Sequence, residues 1–450
     1  MDFVGILRGI IGIGLLVGIA FLFSNNKKRV NWRLVIVGLG IQFTIAIFIM
    51  KGAVMGAFFA PLGWPKELFR FISKFFVLVL NFTGEGSQFV FGPLGIGPGN
   101  EGSMGMFFAF QVLPVIIFFA SLMSVLYYLG IMQKVVQAMA WVFTKLMGTS
   151  GAESLSCTAN IFVGQTEAPL MIKPFIRKMT KSELLTIMTG GMATIAGSVM
   201  AAYIQMLGQS YADSLGMPLQ EAQLLFATHL LGASVMAAPA ALVISKIIFP
   251  ETEVPETAGD VKIAVEKNAS NAIEAAAVGA SEGWKLALNV AAMLIAFIAL
   301  IAMLNFMLEG FGDLIGVNAM LVEKFGNPLN IQFLFGSVLQ FLAFGIGVPW
   351  ADSLHFGSLF GTKLVLNEFV AYFEMSSMIK DHILVSEKAI LMATYALCGF
   401  ANFSSIAIQL GGITPLAPER QSDLASLGVK AVIGGALSTL MTATLAGILF

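Results

Sequence analysis

The chain has 450 residues, with 25 Lys and Arg against 26 Asp and Glu, a formal net charge of −1. Hydrophobic residues make up 57% and charged residues 11%, and the mean hydropathy is +0.87. Soluble proteins carry about 25% charged residues, so this composition describes an integral membrane protein and excludes a nucleic-acid binder, which needs a basic face.

Segments of about 20 apolar residues can cross a bilayer. The pattern predicts eight such spans, near Val4–Phe23, Leu34–Met50, Met104–Leu129, Leu184–Leu207, Ala222–Phe249, Trp284–Met307, Lys388–Leu410 and Leu427–Phe450. The first reads as an uncleaved membrane helix, because its basic cluster, Asn25–Arg29, follows the apolar run and no small-residue cleavage site precedes it. With the N-terminus outside, Lys27, Lys28, Arg29 and Arg33 fall on the inner side, as do Lys173, Arg177, Lys178 and Lys181. Basic residues favour that side, although Lys66, Arg70 and Lys74 fall outside. Residues 51–103 read as an external interfacial layer, and Pro250–Glu282, charged and alanine-rich, as a solvated cytoplasmic connector.

Some stretches do not suit a spanning helix. Gln133–Leu146 is amphipathic, with Val135, Val136, Met139, Val142 and Phe143 opposed by Gln133, Gln137 and Lys145, which predicts a helix lying in the interface. Gly151–Ile176 carries Asn160, Gly164, Gln165, Thr166, Glu167 and Pro169 in its middle. That arrangement predicts two half-helices entering and leaving on one face, a backbone tolerated only where it is buried in protein or lines water. Gly357–Met378 repeats the design around Gly361, Asn367 and Glu368, with Ile331–Phe344 as a second interfacial piece before it.

The order of span, interfacial helix, hairpin, span and span therefore occurs twice, over Met104–Phe249 and Trp284–Phe450. After each hairpin comes a small-residue run, Gly191-Met-Ala-Thr-Ile-Ala-Gly197 and Gly399-Phe-Ala-Asn-Phe-Ser-Ser405. Three crossings separate the hairpins, so they enter from opposite faces. The expected architecture is all-α: eight transmembrane helices with two re-entrant helical hairpins in an inverted repeat. Its parts are residues 1–103, a first repeat over 104–249, a connector over 250–283 and a second repeat over 284–450. Inverted repeats with a midplane site are a transporter design.

A carboxylate at membrane depth costs roughly 3 kcal/mol on insertion scales, so Glu167 and Glu368 mark a functional site. Lys363 and Glu374, beside the second hairpin, are expected to pair or to snorkel. Cys157 and Cys398 read as small buried thiols, with no C-x-x-C spacing. His229, His355 and His382 are scattered, giving neither metal-ligand spacing nor a nucleophile with its base, so no enzyme is indicated. The chain has no Walker A loop for ATP coupling.

Three phrases, Gly164-Gln-Thr-Glu-Ala-Pro169, Asn367-Glu-Phe-Val-Ala-Tyr372 and Cys398-Gly-Phe-Ala-Asn-Phe-Ser-Ser405, closely resemble signatures of the concentrative nucleoside transporter family. The likeness runs from about Met104 to the C-terminus, and the N-terminal part is similar to that of the shorter bacterial members. The resemblance implies a nucleoside symporter of the bacterial inner membrane, a homotrimer in which each protomer holds its own site. It also implies nucleobase contacts from Gln165, Thr166, Glu167 and Val199, and ribose contacts from Glu368, Asn402 and Ser405 with Phe400 alongside. A co-transported sodium ion would be held by the side chains of Asn160 and Thr194 and the carbonyls of Val163 and Ile195. No organic cofactor is implied, and some bacterial relatives use protons in place of sodium.

Overall fold

In a computed structural model, residues 3–98, 100–259, 269–325 and 328–450 are described, and among them all regular structure is helical. Seven helical stretches are long and apolar enough to cross a membrane. They contain α1 (Phe3–Leu22), α2 (Trp32–Phe58), α4 (Phe108–Tyr128), the pair α7 (Lys181–Ala193) and α8 (Gly197–Leu215), α9 (Leu219–Ile248), α10 (Ala272–Leu314) and α17 (Gln421–Leu449). Between α2 and α4 lies α3 (Trp64–Phe91). The expected span Lys388–Leu410 is not one of the seven: it consists of two shorter helices, α15 (Glu387–Leu397) and α16 (Ser404–Ile413).

Helices α7–α8, α9 and α17 are buried along nearly their whole length, whereas α1, α2, α4 and α10 expose most of theirs. Side-chain size explains the difference. The buried helices are rich in Gly, Ala, Ser and Thr, which let backbones approach closely where no water drives association. The outer helices present Ile295, Phe306 and Met307 of α10, Ile10 and Ile11 of α1 and Phe118 of α4, the apolar surface that a lipid environment accepts.

Two differences from the sequence reading concern boundaries. The layer at residues 51–103 contains a 28-residue helix, α3, which packs Phe76 on Phe119 of α4 and places Ser73 beside Thr228 of α9. The connector is shorter than expected, because α10 begins at Ala272 and runs for 43 residues, about 65 Å at 1.5 Å per residue. Part of the connector is also packed and not solvated: Thr257 accepts the Gly151 N–H at 2.9 Å on its carbonyl and the Ala152 N–H at 3.1 Å on its hydroxyl. Residues 260–268 of the connector lie outside the described set.

The predicted interfacial helices are α5 (Ile131–Met147) and α12 (Ile331–Gly345). Gly130 and Gly148 bound α5 at φ 75° and 71°, left-handed values that allow the chain to turn sharply at both ends. The buried stripe of α5 is Met132, Val136, Ala140, Phe143 and Met147, so Val135 and Val142, expected on that face, point outward.

Helices α6 (Gly151–Ala159), α13 (Trp350–Val365) and α14 (Glu368–Lys380) build the hairpins, with a short α11 (Asn318–Phe325) preceding α12. Both helices at the base of the first hairpin start with capping boxes, Ser150 with Glu153 and Thr180 with Glu183, which satisfy otherwise orphaned N–H groups. Lys246 of α9 binds that base at 2.8 Å to Glu153 and 3.2 Å to Glu251. At the base of the second hairpin, Asp352 accepts the Val385 N–H at 2.8 Å and the Ser386 hydroxyl at 2.6 Å.

Contacts along α7–α8 show how the hairpins face one another. At the start of α7, Glu183 accepts the Ser150 hydroxyl from the base of the first hairpin at 2.6 Å. Near the end of α8, Ser210 meets Ser376 at 2.5 Å and Ser214 meets His382 at 3.3 Å, both at the base of the second hairpin. Both tips reach the start of α8, where Gly197 N–H donates to Phe162 O at 3.1 Å and, one to two turns on, Tyr203 packs on Phe369. The hairpins therefore approach the same interior region from opposite ends of one helical element.

Candidate functional site

Each hairpin tip is paired with a broken helix. At the first, α6 stops at Asn160 and the chain runs irregularly to the 3-10 turn Ala168–Ile172, while the helix beside it breaks at Thr194–Ala196. At the second, α13 ends at Val365, α14 starts at Glu368, and the neighbouring break covers Cys398–Phe403. One backbone bond ties each tip to its break: Gly197 N–H to Phe162 O at 3.1 Å, and Phe403 N–H to Leu364 O at 3.2 Å. A third joins the breaks to each other, from Phe400 N–H to Thr194 O at 3.3 Å. Such unwound backbone leaves helix termini aimed at the space between them, with free N–H and carbonyl groups.

That space is a cavity of about 550 Å³, within the range of small-molecule sites. All eight residues expected to contact substrate line it: Gln165, Thr166, Glu167 and Val199 from the first half, and Glu368, Phe400, Asn402 and Ser405 from the second. Val163 also borders it, whereas Asn160, Thr194 and Ile195 are buried outside its lining.

Glu368 is the N1 residue of α14, behind an Asn367 side chain that accepts the Val370 N–H at 2.9 Å. A carboxylate there is favoured by the positive end of the helix. Tyr203 OH donates to its Oε1 at 3.2 Å and Asn402 Nδ2 to its Oε2 at 3.2 Å. Asn402 is held in turn by the Ser405 N–H at 2.9 Å and the Ser404 hydroxyl at 2.7 Å, both donated to its Oδ1. The carboxylate is buried, directional and still has lone pairs to accept further donors.

Glu167 is oriented differently. It accepts the Gly164 N–H within its own turn and is exposed to the cavity. Gln165 reaches across the two halves, donating to Ser405 Oγ at 3.2 Å and accepting from Gln409 Nε2 at 3.0 Å. Gln409 also donates to Met188 O at 2.9 Å, which fixes the orientation of both amides.

The sodium candidates occupy the C-terminal ends of two half-helices, with Asn160 as C-cap of α6 and Thr194 as C-cap of α7. Asn160 Nδ2 donates to Ser156 O at 2.9 Å, and its Oδ1 is buried with no hydrogen-bond partner among the described residues. Thr194 spends its proton on Gly190 O at 2.9 Å, leaving the oxygen lone pairs available. Val163 and Ile195 lie in the adjoining irregular segments. An orphaned amide oxygen, a hydroxyl oxygen and helix-terminal carbonyls form a neutral oxygen set suited to a small hard cation.

Sequence reasoning missed Tyr203 and Gln409, and gave Lys363 the wrong partner. Tyr203 and Gln409 lie on α8 and α16, and each faces a candidate residue. For Gln409, a lone amide between Ile408 and Leu410, isolation in an apolar run was the available signal. Lys363 does not pair with Glu374 or snorkel. Its ammonium donates to Ala396 O and Thr439 Oγ1, while Glu374 accepts from Gln332 at 2.8 Å and Thr362 at 3.0 Å. Both cysteines are free thiols in the core.

Family models describe most of the chain. One for the C-terminus of Na+ dependent nucleoside transporters matches residues 229–447, its N-terminal counterpart matches 11–94, and one described as nucleoside recognition matches 109–210. The uncharacterized transporter YutK of Bacillus subtilis is 44% identical over 445 residues, covering 98% of this chain and 99% of that protein. Sodium/nucleoside cotransporter 1 of Mus musculus is 40% identical over 452 residues, covering 97% of this chain and 63% of that protein. Among solved structures, CNTnw in an inward-facing substrate-bound state is similar at a TM-score of 0.83 with 39% identity, covering 98% of each chain. A doubly substituted CNTnw in an outward-facing state is similar at 0.84 with 39% identity, covering 100% of this chain and 98% of that one.

Proposed function

Because this chain belongs to the concentrative nucleoside transporter family, we propose that it is a secondary active symporter that imports nucleosides with sodium down its electrochemical gradient. It is a multi-pass membrane protein of a transporter family, not an enzyme. In the proposed reading it works in the bacterial inner membrane as a homotrimer, with eight transmembrane helices and two re-entrant hairpins related by an inverted repeat. The observation that carries the reading is the single cavity into which both carboxylate-bearing hairpin tips project.

A nucleoside offers uncharged donors and acceptors at its base and hydroxyls at its sugar. Gln165, Thr166 and Glu167 match the edge of a base, and Val199 gives it an apolar wall. Glu368 accepts from ribose hydroxyls, supported by Asn402 and Ser405 and flanked by Phe400. Ionised acceptors make the stronger hydrogen bonds, and a site built on them rejects ligands that leave its buried groups unpaired. Asn160, Thr194 and the carbonyls of Val163 and Ile195 hold the sodium ion behind the base-contacting tip. The cation joins α6 to the end of α7, so its binding shapes the part of the cavity that Gln165 and Glu167 line.

The driving force is adequate. One positive charge moving inward gains about 2.3 kcal/mol per 100 mV, which at about 1.4 kcal/mol per tenfold supports roughly 40-fold accumulation before any sodium gradient is added. The test is radiolabelled uridine uptake into proteoliposomes under an imposed sodium gradient or an imposed pH gradient. Concentrative uptake with sodium alone is the expected result. Uptake that persists without sodium and collapses when the pH gradient is dissipated would assign the coupling to protons.

A further inference from the structure

Lys363 lies in the last turn of α13, five residues before Glu368, and its side chain is fully buried. It makes no ion pair among the described residues; its ammonium donates to Ala396 O at 2.8 Å and to Thr439 Oγ1 at 3.0 Å, with the Phe360 ring 5.3 Å away. An ammonium buried without a directly bonded carboxylate is costly, so its surroundings must supply negative potential. Two helix C-termini do so, together with the Glu368 carboxylate of the same hairpin. Lys363 is at the end of α13, and Ala396 belongs to the last turn of α15, just before that helix breaks. The negative ends of both macrodipoles converge on one ammonium.

The first half has the same arrangement with a different occupant. There α6 and α7 end at Asn160 and Thr194, and the groups they present are neutral oxygens, one of them unpartnered. In each half, the first helix of the hairpin and the first part of the broken helix bring their C-terminal ends together. Both junctions favour a positive charge. One offers ligands for an exchangeable ion, and the other contains a cation attached to the chain.

We propose that Lys363 is a tethered cation that clamps the second hairpin to the end of α15 and thereby positions Glu368 for the ribose, taking in the second half the place that an exchangeable cation takes in the first. This inference rests on the reading of Glu368 as the ribose acceptor. Lys363 does not line the cavity; it acts through the hairpin that carries Glu368. The clamp spans three elements, because Thr439 belongs to the buried helix α17. Tyr372 OH adds a second link from the same hairpin to α15, donating to Thr394 O at 2.7 Å.

The test compares uridine with 2′,3′-dideoxyuridine, which lacks the ribose hydroxyls in question, by equilibrium binding to purified protein in sodium. Lys363→Met keeps the unbranched stem of the side chain and removes the ammonium. It should weaken uridine binding at least tenfold while changing dideoxyuridine binding less than threefold. Thr439→Val removes one acceptor of the ammonium while leaving Lys363 itself in place, and should shift uridine selectively by about threefold. Uridine affinity within twofold of wild type in Lys363→Met, or equal losses for both ligands, would overturn the proposal. Gel filtration and thermal melting establish folding. If Lys363→Met does not fold, Thr439→Val decides the matter: selective loss supports the clamp, and equal loss or none overturns it. Glu368→Gln measured in parallel separates this inference from the reading beneath it. If Glu368→Gln fails to reduce the preference for uridine over dideoxyuridine, the ribose assignment is wrong. If it does reduce it while the Lys363 and Thr439 variants treat both ligands alike, only the clamp is wrong.

Discussion

At the scale of single residues, the cavity is governed by how few polar groups it holds and how firmly each is oriented. Glu368 receives one hydrogen bond from Tyr203 and one from Asn402, so neither oxygen is free to rotate away from a ligand. Hydrogen bonds to a charged group are worth about 1.5–3 kcal/mol each. Glu368→Gln places an amide N–H where an acceptor is needed, and uridine uptake should fall at least a hundredfold while the oligomeric state, measured by cross-linking or gel filtration, is unchanged. Near-normal uptake would remove Glu368 from the site. Asn160 makes a different prediction, because its Oδ1 is buried and unpartnered. Asn160→Ala should raise the sodium concentration for half-maximal uptake several-fold, and an unchanged sodium dependence would exclude it as a ligand. Glu167 and Glu368 were legible in the sequence because a carboxylate in an apolar run is rare. Lys363, in the last turn before the tip, is expected from sequence to pair with Glu374 or to snorkel, since burying an ammonium is costly; the C-terminus of its own helix and that of α15, distant in the chain, offset that cost, and spacing does not reveal them.

At the scale of elements, the working parts are helices that stop in the interior. Hydropathy read Leu184–Leu207 as one continuous span, because Thr194, Ile195 and Ala196 at the break are themselves mostly apolar. The same blindness made one span of Lys388–Leu410, although Cys398–Phe403 is irregular. Period and hydropathy detect which surface is apolar, not where a backbone stops donating to its own helix. The interruptions at the two tips were visible because they are polar, and the first also contains Pro169. The breaks meet closely at Gly399, where an added Cβ would lie 2.8 Å from both Ala193 O and Thr439 Cγ2. Gly399→Val therefore forces the two breaks apart, at a cost of about 1–3 kcal/mol of stability for overpacking. It should lower the melting temperature and uptake together. Gly14→Ala, whose added Cβ meets nothing within 4 Å, is the control and should change neither.

At the scale of the whole molecule, the buried helices α7–α8, α9 and α17 form a core, and the outer helices give it an apolar jacket. The hairpins approach from opposite ends of that core, so a ligand held between their tips bridges the two halves of the chain. Coupling follows from shared geometry. In the proposed reading, Asn160 and Val163 share the irregular segment that carries Gln165, Thr166 and Glu167, while Thr194 and Ile195 lie in the break that Gly197 ties to it, so occupancy of either site would favour the same arrangement of the other. By linkage, the factor by which sodium tightens uridine must equal the factor by which uridine tightens sodium. The central claim is that base and sugar of one nucleoside are divided between the two tips. An experimental structure of the protein with bound uridine and sodium tests it most directly. The account predicts the base beside Gln165 and Glu167, the ribose hydroxyls on Glu368 and Asn402, and an ion on Asn160 and Thr194. Uridine bound elsewhere, or held by one hairpin alone, would contradict it.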